Sequence, residues 1–111
     1  LTVERLGDAI DRPELATVGG LDHCWVLDGS VPSAELVDPV GGRRIRICTN
    51  QPGVQVYTAN HGAGPLPRHG AVCLETQCLP DAPNQPTFPS AVLRPGQRYR
   101  HEHVVELGTT D

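Results

Sequence analysis

The sequence predicts an all-β domain, and two observations carry that prediction. First, the 111 residues include 12 Gly and 11 Pro, about twice the usual share, which favours short strands joined by turns. Second, several segments alternate apolar and polar residues, whereas no segment has the apolar spacing of an amphipathic helix. A helical bundle or a coiled coil is therefore excluded. An apolar share of 38% also argues against disorder.

About six segments have the pattern of strands bounded by turn residues. In one of them, arginines alternate with Ile45 and Ile47, which predicts a strand with one buried face. In another, valines alternate with Gln55 and Tyr57. The residues from Asp38 to Gly42 predict a hairpin turn. The predicted strands lie within 23–29, 34–60 (strand, tight turn, strand, loop, strand), 71–77 and 99–107.

Two segments are predicted to be irregular. Residues 1–18 are polar and weakly patterned, so we expect a connector that precedes a domain at 19–111. Residues 80–90 contain four prolines, which excludes a helix or a central strand there. One Trp, one Phe and two Tyr make a thin core for independent folding. We therefore expect the chain to be part of a larger β-sheet assembly.

Charge and hydropathy exclude two classes of partner. The net charge is -4, and the nine arginines are scattered along a chain without Lys, so we expect no nucleic-acid binding. Apolar runs are only a few residues long, against the ~20 that span a bilayer, and no targeting segment is visible, so we expect no membrane partner. The chain starts at Leu1 and lacks Met, so we expect it to be an incomplete translation product.

The four cysteines lack the close spacing of a disulfide-stapled secreted scaffold. The closest pair, Cys73 and Cys78, is five residues apart, whereas a zinc site favours paired C-x-x-C spacings. We therefore expect buried free thiols in a cytoplasmic protein and no metal site.

Three side chains are candidates for a functional site. Glu75 lies in an apolar strand, where it is either a general base or, as the local pattern favours, a solvated residue. Asp22 at the start of a strand either caps a turn or binds a ligand, at even odds. Gln55 either faces solvent, which the pattern somewhat favours, or lines a polar cavity. The sequence pattern alone leaves all three alternatives open.

Other chemistry-bearing motifs are weak. His101 and His103 would share a strand face, but no third metal ligand follows, so an exposed strand is the favoured interpretation. His61 and His69 flank a Gly-Pro loop and are expected to be mobile. No serine lies in a nucleophile elbow, and no glycine-rich phosphate loop is present.

Read in order, the segments GGLDHCWVLDG, TNQPGVQVYTAN and RHGAVCLETQCLPDAPNQPTFPSAVLRPGQRYRHE resemble the C-terminal third of the aldose 1-epimerase (galactose mutarotase) family, from about Gly19 to Leu107. The resemblance implies a large antiparallel β-sandwich, the galactose mutarotase-like supersandwich, with an open sugar cleft. It further implies an isomerase that opens and recloses the sugar ring by acid and base catalysis, with no metal and no cofactor. The expected partner is a small aldose such as glucose or galactose.

The resemblance also assigns roles to residues. It places the catalytic base on Glu75 in CLETQ, and the sugar-binding aspartate and glutamine on Asp22 and Gln55. Short carboxylate and amide side chains suit sugar hydroxyls, and an aromatic wall suits the apolar face of the ring. The candidates for that wall are Trp25, Tyr57 and Phe88.

Some family features do not match this sequence. The acid histidine, a second sugar-contacting histidine and an Asn-Arg pair belong to an upstream region, and none of the five histidines here matches them. Val56, Ala59 and Trp25 replace the more usual Phe, Gly and Phe. Three hypotheses follow: part of an active epimerase completed by an N-terminal portion, a non-catalytic carbohydrate-binding module of the same fold, or a fragment without a stable fold. The preferred aldose and the oligomeric state are left open.

Overall fold

The computed structural model describes residues 5–110 and confirms the all-β prediction. Within these residues there are six strands, one five-residue helix and two single turns of 3-10 helix. The strands are β1 (Asp22–Val26), β2 (Ala34–Val37), β3 (Arg43–Thr49), β4 (Gly53–Tyr57), β5 (Cys73–Gln77) and β6 (His103–Thr109). The helix α1 spans Leu6–Ile10, and the 3-10 turns span Pro13–Leu15 and Ala82–Asn84.

The strands form two three-stranded sheets, ordered β1-β4-β5 and β2-β3-β6. In the second sheet both pairings are antiparallel, with Ile47 of β3 opposite Ala34 of β2 and Val105 of β6. In the first sheet, a backbone hydrogen bond lies at each end of the pairing between β1 and β4. Thr58 N donates to Leu21 O at 3.1 Å, and Leu27 N donates to Pro52 O at 2.9 Å. Since the residue numbers rise along β1 as they fall along β4, these two strands are antiparallel.

The hairpin turn between β2 and β3 lies where the sequence predicts it. Asp38 Oδ1 accepts hydrogen bonds from the backbone N–H groups of Val40 and Gly41, both at 3.0 Å, and Oδ2 accepts one from Arg43 Nη2 at 2.8 Å. These donors favour the charged carboxylate and lower the pKa of Asp38 to about 2, the Gly41 N–H contributing most. Gly42 follows with a φ of 67°, which suits glycine.

The described chain divides into two compact units, 5–25 with 55–75 and 26–54 with 76–110. The first unit has a small apolar core of Ala9, Leu15 and Leu21, against which Leu6 and Val56 pack. Residues 5–18 therefore contribute a helix, a 3-10 turn and two core side chains, although the sequence pattern predicts no helix there. In the second unit, Ile47 is 3% exposed, as the alternation along β3 predicts.

The last strand begins later than predicted, at His103 instead of Tyr99. The reason is that β3 ends at Thr49, which pairs with His103, so no backbone ladder continues beyond this point. The side chain of Asn50 takes its place: Nδ2 donates to Arg100 O at 3.0 Å, and Oδ1 accepts from Glu102 N at 2.9 Å. The segment before β6 is thus held by an amide side chain.

The proline-rich segment after β5 is a loop, as predicted. Its one helical feature among the described residues is the turn Ala82–Asn84. Asp81 precedes that turn with a φ of 59° and accepts hydrogen bonds from the side chains of Asn84 and Gln85, which lower its pKa in that order. Across residues 5–110, no helix has the length and apolar character that crossing a membrane would need.

Candidate active site

Asp22 and Gln55 form a hydrogen-bonded pair on neighbouring strands. Gln55 Nε2 donates to Asp22 Oδ1 at 2.8 Å. The ladder between β1 and β4 places Cys24 across from Gln55, so Asp22 lies diagonal to Gln55 on the same face. Asp22 is exposed and Gln55 is half-buried. Residues 5–110 offer no further partner to this pair, which leaves Asp22 Oδ2, Gln55 Oε1 and the second Nε2 hydrogen for a ligand.

A buried group of polar side chains anchors the start of β1 beside Asp22. Thr58 and Asn60 are 1% and 3% exposed. Thr58 Oγ1 accepts the N–H of Leu21 at 2.9 Å and donates to Asn60 Oδ1 at 2.6 Å. Asn60 Nδ2 donates to the carbonyls of Leu21 and Val18, both at 3.0 Å. Every side-chain donor and acceptor of the group has a partner, so the backbone next to Asp22 is fixed.

Gly20 allows this close packing. Its φ is 149°, a conformation that other residues rarely adopt. A Cβ added there would lie 2.4 Å from Asn60 Oδ1 and 2.8 Å from Thr58 Oγ1. The absence of a side chain at Gly20 therefore lets its backbone pack directly against Thr58 and Asn60. The next residue, Leu21, then places its side chain in the core.

The alternation along the strands distinguishes two of the three candidate aromatic residues. Tyr57 lies opposite Asp22 in the β1–β4 ladder and shares its face, whereas Trp25 alternates to the other face of β1. Trp25 and His23 instead line a cavity of about 250 Å³. Neither Asp22 nor Gln55 is among the described residues that line it. Of these two aromatic residues, Tyr57 is the one on the same strand face as the pair.

Glu75 is the middle residue of β5, at the other side of β4 from β1 in the strand order. Its side chain is exposed, as the local pattern favours. Within residues 5–110 it has no hydrogen-bond or ion-pair partner, and neither Asp22 nor Gln55 bonds to it. All its oxygen lone pairs are therefore available for a proton or a ligand.

Thr76, on the opposite face of β5 from Glu75, contacts two histidines. Its Oγ1 lies 2.8 Å from His101 Nε2 and 2.8 Å from His103 Nδ1. Because a hydroxyl carries one hydrogen, it can donate to at most one of the two ring nitrogens, so at least one histidine donates its N–H to Oγ1. The sequence pattern places these histidines on one strand face but does not indicate their common partner. Residues 5–110 contain no group of three His, Cys, Asp or Glu side chains placed to hold a metal ion.

His69 has a structural role that sequence analysis missed. Its Nδ1 lies 2.9 Å from the carbonyl oxygen of Thr58, so Nδ1 carries the hydrogen and donates it. The backbone N–H of His69 donates to the carbonyl oxygen of Ala59 at 2.9 Å. Both His69 and Ala59 have positive φ values, 60° and 48°, which are uncommon outside glycine. The loop after β4 is therefore tied to the strand end that carries Thr58.

All four cysteines are unpaired and half-buried. This agrees with the prediction of free thiols, although none of the four is fully buried. Cys78 Sγ lies 3.6 Å from Gln51 Oε1, as a weak donor, and Gln51 is itself 8% exposed.

The family profile described as "Aldose 1-epimerase" matches residues 3–106. The chain is 43% identical over 95 residues to human galactose mutarotase, covering 76% of this chain and 28% of the relative. It is 35% identical over 91 residues to aldose 1-epimerase of Haemophilus influenzae, covering 72% and 27%, and 30% identical over 95 residues to that of Escherichia coli, covering 74% and 28%.

These matches define an all-β protein related to sugar epimerases. The chain belongs to the aldose 1-epimerase family, as the resemblance indicates. It spans slightly more than a quarter of the length of the curated relatives that it matches.

Proposed function

We propose that the protein that carries this chain is an aldose 1-epimerase, which interconverts the α and β anomers of aldohexoses such as glucose and galactose. The main support within the chain is the Asp22–Gln55 pair, a fixed carboxylate and amide that present free acceptors and a free donor on one strand face. Family membership and the printed names of the relatives support the reaction class.

In the proposed reaction, Asp22 and Gln55 bind sugar hydroxyls, and Tyr57 packs against the apolar face of the ring. Glu75 takes the proton of the anomeric hydroxyl while an acid protonates the ring oxygen. The C1–O5 bond breaks as the C1 carbonyl forms, C1 rotates, and the reverse steps close the ring with the other configuration. No histidine of this chain is assigned as the acid, and no metal or cofactor is assigned to the reaction.

The arrangement of the protein around this site is also part of the proposal. Residues 19–111 form the C-terminal portion of one mutarotase-like β-sandwich, preceded by a connector at 1–18, with the remaining site residues in an N-terminal portion. The four unpaired cysteines support a cytoplasmic location, since disulfides are rare in that reducing compartment. No nucleic acid or membrane is expected as a partner.

Polarimetry tests the reaction directly. Freshly dissolved α-D-galactose and α-D-glucose are followed with the protein expressed from its complete gene, against buffer at the same pH. We expect mutarotation faster than the blank. Glu75→Gln removes the base but keeps the shape, so kcat should fall ~100- to 10,000-fold while calorimetry still detects sugar binding.

The matched control is Glu106→Gln, because Glu106 is an exposed glutamate on the strand β6 and takes no part in the proposed site. Its kcat should equal that of the wild type. Wild-type turnover in the Glu75→Gln variant would remove Glu75 from the role of base. Sugar binding by the wild type without any acceleration would instead support a non-catalytic carbohydrate-binding protein, the second candidate, which needs only Asp22 and Gln55.

A further inference from the structure

The pairing of Leu21 with Thr58 sets the register between the start of β1 and the end of β4. Thr58 N donates to Leu21 O at 3.1 Å, as in a regular antiparallel ladder. A regular pair would also join the Leu21 N–H to the carbonyl of Thr58, but this N–H donates to Thr58 Oγ1 instead, at 2.9 Å. The carbonyl of Thr58 lies 2.9 Å from His69 Nδ1, from which it accepts. The hydroxyl of Thr58 thus replaces its carbonyl at the end of the ladder.

Asn60 completes this pairing from the residues that follow β4. Its Oδ1 accepts the hydroxyl of Thr58 at 2.6 Å, and its Nδ2 donates to Leu21 O at 3.0 Å. Thr58 and Asn60 are both buried, so each of these polar groups would lose free energy without its partner. A shift of β1 by one residue along β4 would break all of these bonds together, and the register is therefore strongly specified.

This register decides where Asp22 lies. The peptide group between Leu21 and Asp22 is held at both polar atoms: Leu21 O accepts the two bonds just described, and Asp22 N donates to His23 Nδ1 at 3.1 Å. The short side chain of Asp22 is held in turn by Gln55, whose Nε2 lies 2.8 Å from Oδ1. A shift of one residue would move Asp22 to the other face of the sheet, away from Gln55.

We infer that Thr58 is a positioning residue for sugar binding: through Leu21 it sets the register of β1 against β4, and thereby the place at which Asp22 meets Gln55 and a sugar hydroxyl. The inference rests on the proposed function, which assigns Asp22 and Gln55 to the sugar. Thr58 is 1% exposed, so it acts through Asp22 and does not touch the sugar itself.

The test compares Thr58→Val and Thr58→Ser in the protein expressed from its complete gene. Valine keeps the shape of threonine and removes the hydroxyl, whereas serine keeps the hydroxyl. We expect Thr58→Val to raise both KM in polarimetry and the sugar Kd in calorimetry about fivefold, with little change in kcat, because the hydrogen bond of Asp22 to the sugar weakens. Thr58→Ser should stay close to the wild type.

A double-mutant cycle with Asp22→Ala shows whether Thr58 acts through Asp22. In the Asp22→Ala background, Thr58→Val should raise KM and Kd by less than about twofold, because the carboxylate that Thr58 positions is gone. An equal fold-change in both backgrounds would overturn the inference. Wild-type KM and Kd in Thr58→Val would also overturn it and would leave the proposed function intact.

Ile47→Val is the matched control for lost stability, because Ile47 is 3% exposed and lies in the second unit. Its KM and Kd should equal those of the wild type. Hydrogen exchange of the Leu21 amide in the wild type needs no variant: slow exchange is expected, and exchange at the rate of an exposed amide would overturn the inference. A wild type that neither binds nor isomerises the sugar would overturn the proposed function as well.

Discussion

Asp22 and Glu75, the two carboxylates proposed to meet the sugar, have opposite surroundings. Asp22 is bonded to Gln55, and the residue before it is anchored by Thr58 and Asn60. Glu75 is exposed and has no partner among residues 5–110. The difference matches two tasks: a binding carboxylate benefits from a fixed geometry, whereas a base must keep a lone pair free for the proton.

Asp38 adds a third case that clarifies the contrast. Its oxygens accept hydrogen bonds from two backbone N–H groups and from Arg43, and its pKa falls to about 2. A carboxylate saturated in this way is a poor base and a good turn former. In this chain, the carboxylate with several hydrogen-bond donors, Asp38, stabilises a turn, whereas the carboxylate proposed as the base, Glu75, has no donor among residues 5–110.

The largest expected effect comes from Gly20→Ala, which disturbs the packing of Thr58 and Asn60 that anchors the backbone beside Asp22. The new Cβ would lie 2.4 Å from Asn60 Oδ1, and alanine rarely adopts the φ of 149°. We expect the free energy of unfolding to fall by about 3 kcal/mol, from steric overlap and backbone strain together. Urea unfolding followed by tryptophan fluorescence measures it.

Gly29→Ala is the matched control, because Gly29 has a φ of 83° but no heavy atom within 4 Å of an added Cβ. At Gly29 only backbone strain applies, so the free energy of unfolding should fall by about 1 kcal/mol. Equal losses in the two variants would mean that the close approach to Asn60 contributes nothing.

A smaller effect is expected for Asp22→Ala, which removes the carboxylate proposed to bind the sugar and leaves Glu75 in place. Hydrogen bonds to charged groups contribute about 1.5–3 kcal/mol, so KM should rise about tenfold or more while kcat changes little. Steady-state polarimetry at several sugar concentrations separates the two constants. Asp28→Ala, in the loop after β1, should leave both unchanged, and an unchanged KM in Asp22→Ala would remove Asp22 from the site.

The smallest effect concerns Asp38 and pH. Its pKa is about 2 in the folded chain and 3.8 ordinarily, so its contribution to stability is complete above about pH 4 and is lost as the pH falls towards 2. Asp38→Asn should therefore lack this part of the acid dependence. Unfolding measured between pH 5 and pH 2 checks this, with an NMR titration of the carboxyl carbon. An Asp38 midpoint near 3.8 would contradict the proposed hydrogen bonds.

Much of the sheet structure could be predicted from local pattern. The hairpin turn at Asp38, the alternation that buries Ile47, and the loop with four prolines all depend on neighbouring residues, and the structure confirms them. The pairing of Asp22 with Gln55 could not be derived in this way. It depends on the register of β1 against β4, which local alternation does not determine, so only the family resemblance indicated a shared role.

The features that the local sequence pattern did not predict are of two kinds. One is a helix too short to give a periodic signal, and the others are contacts between residues far apart in the sequence. The helix Leu6–Ile10 has five residues, fewer than two turns, so it gives no periodic signal. The contacts of Thr76 with His101 and of His69 with Thr58 join residues 25 and 11 positions apart. Such contacts follow from the fold and not from composition near either residue.

The separation along the chain of the residues that meet at β1 and β4 also has a kinetic consequence. Gln55 is 33 residues from Asp22, and Thr58 is 37 from Leu21. Closing loops of that length costs entropy before the contacts are gained, so folding dominated by such pairings proceeds in milliseconds to seconds. During synthesis, the pair of Asp22 and Gln55, proposed to bind the sugar, can form only after Gln55 has left the ribosome. The pair is therefore a late product of folding, assembled together with the strands that carry it.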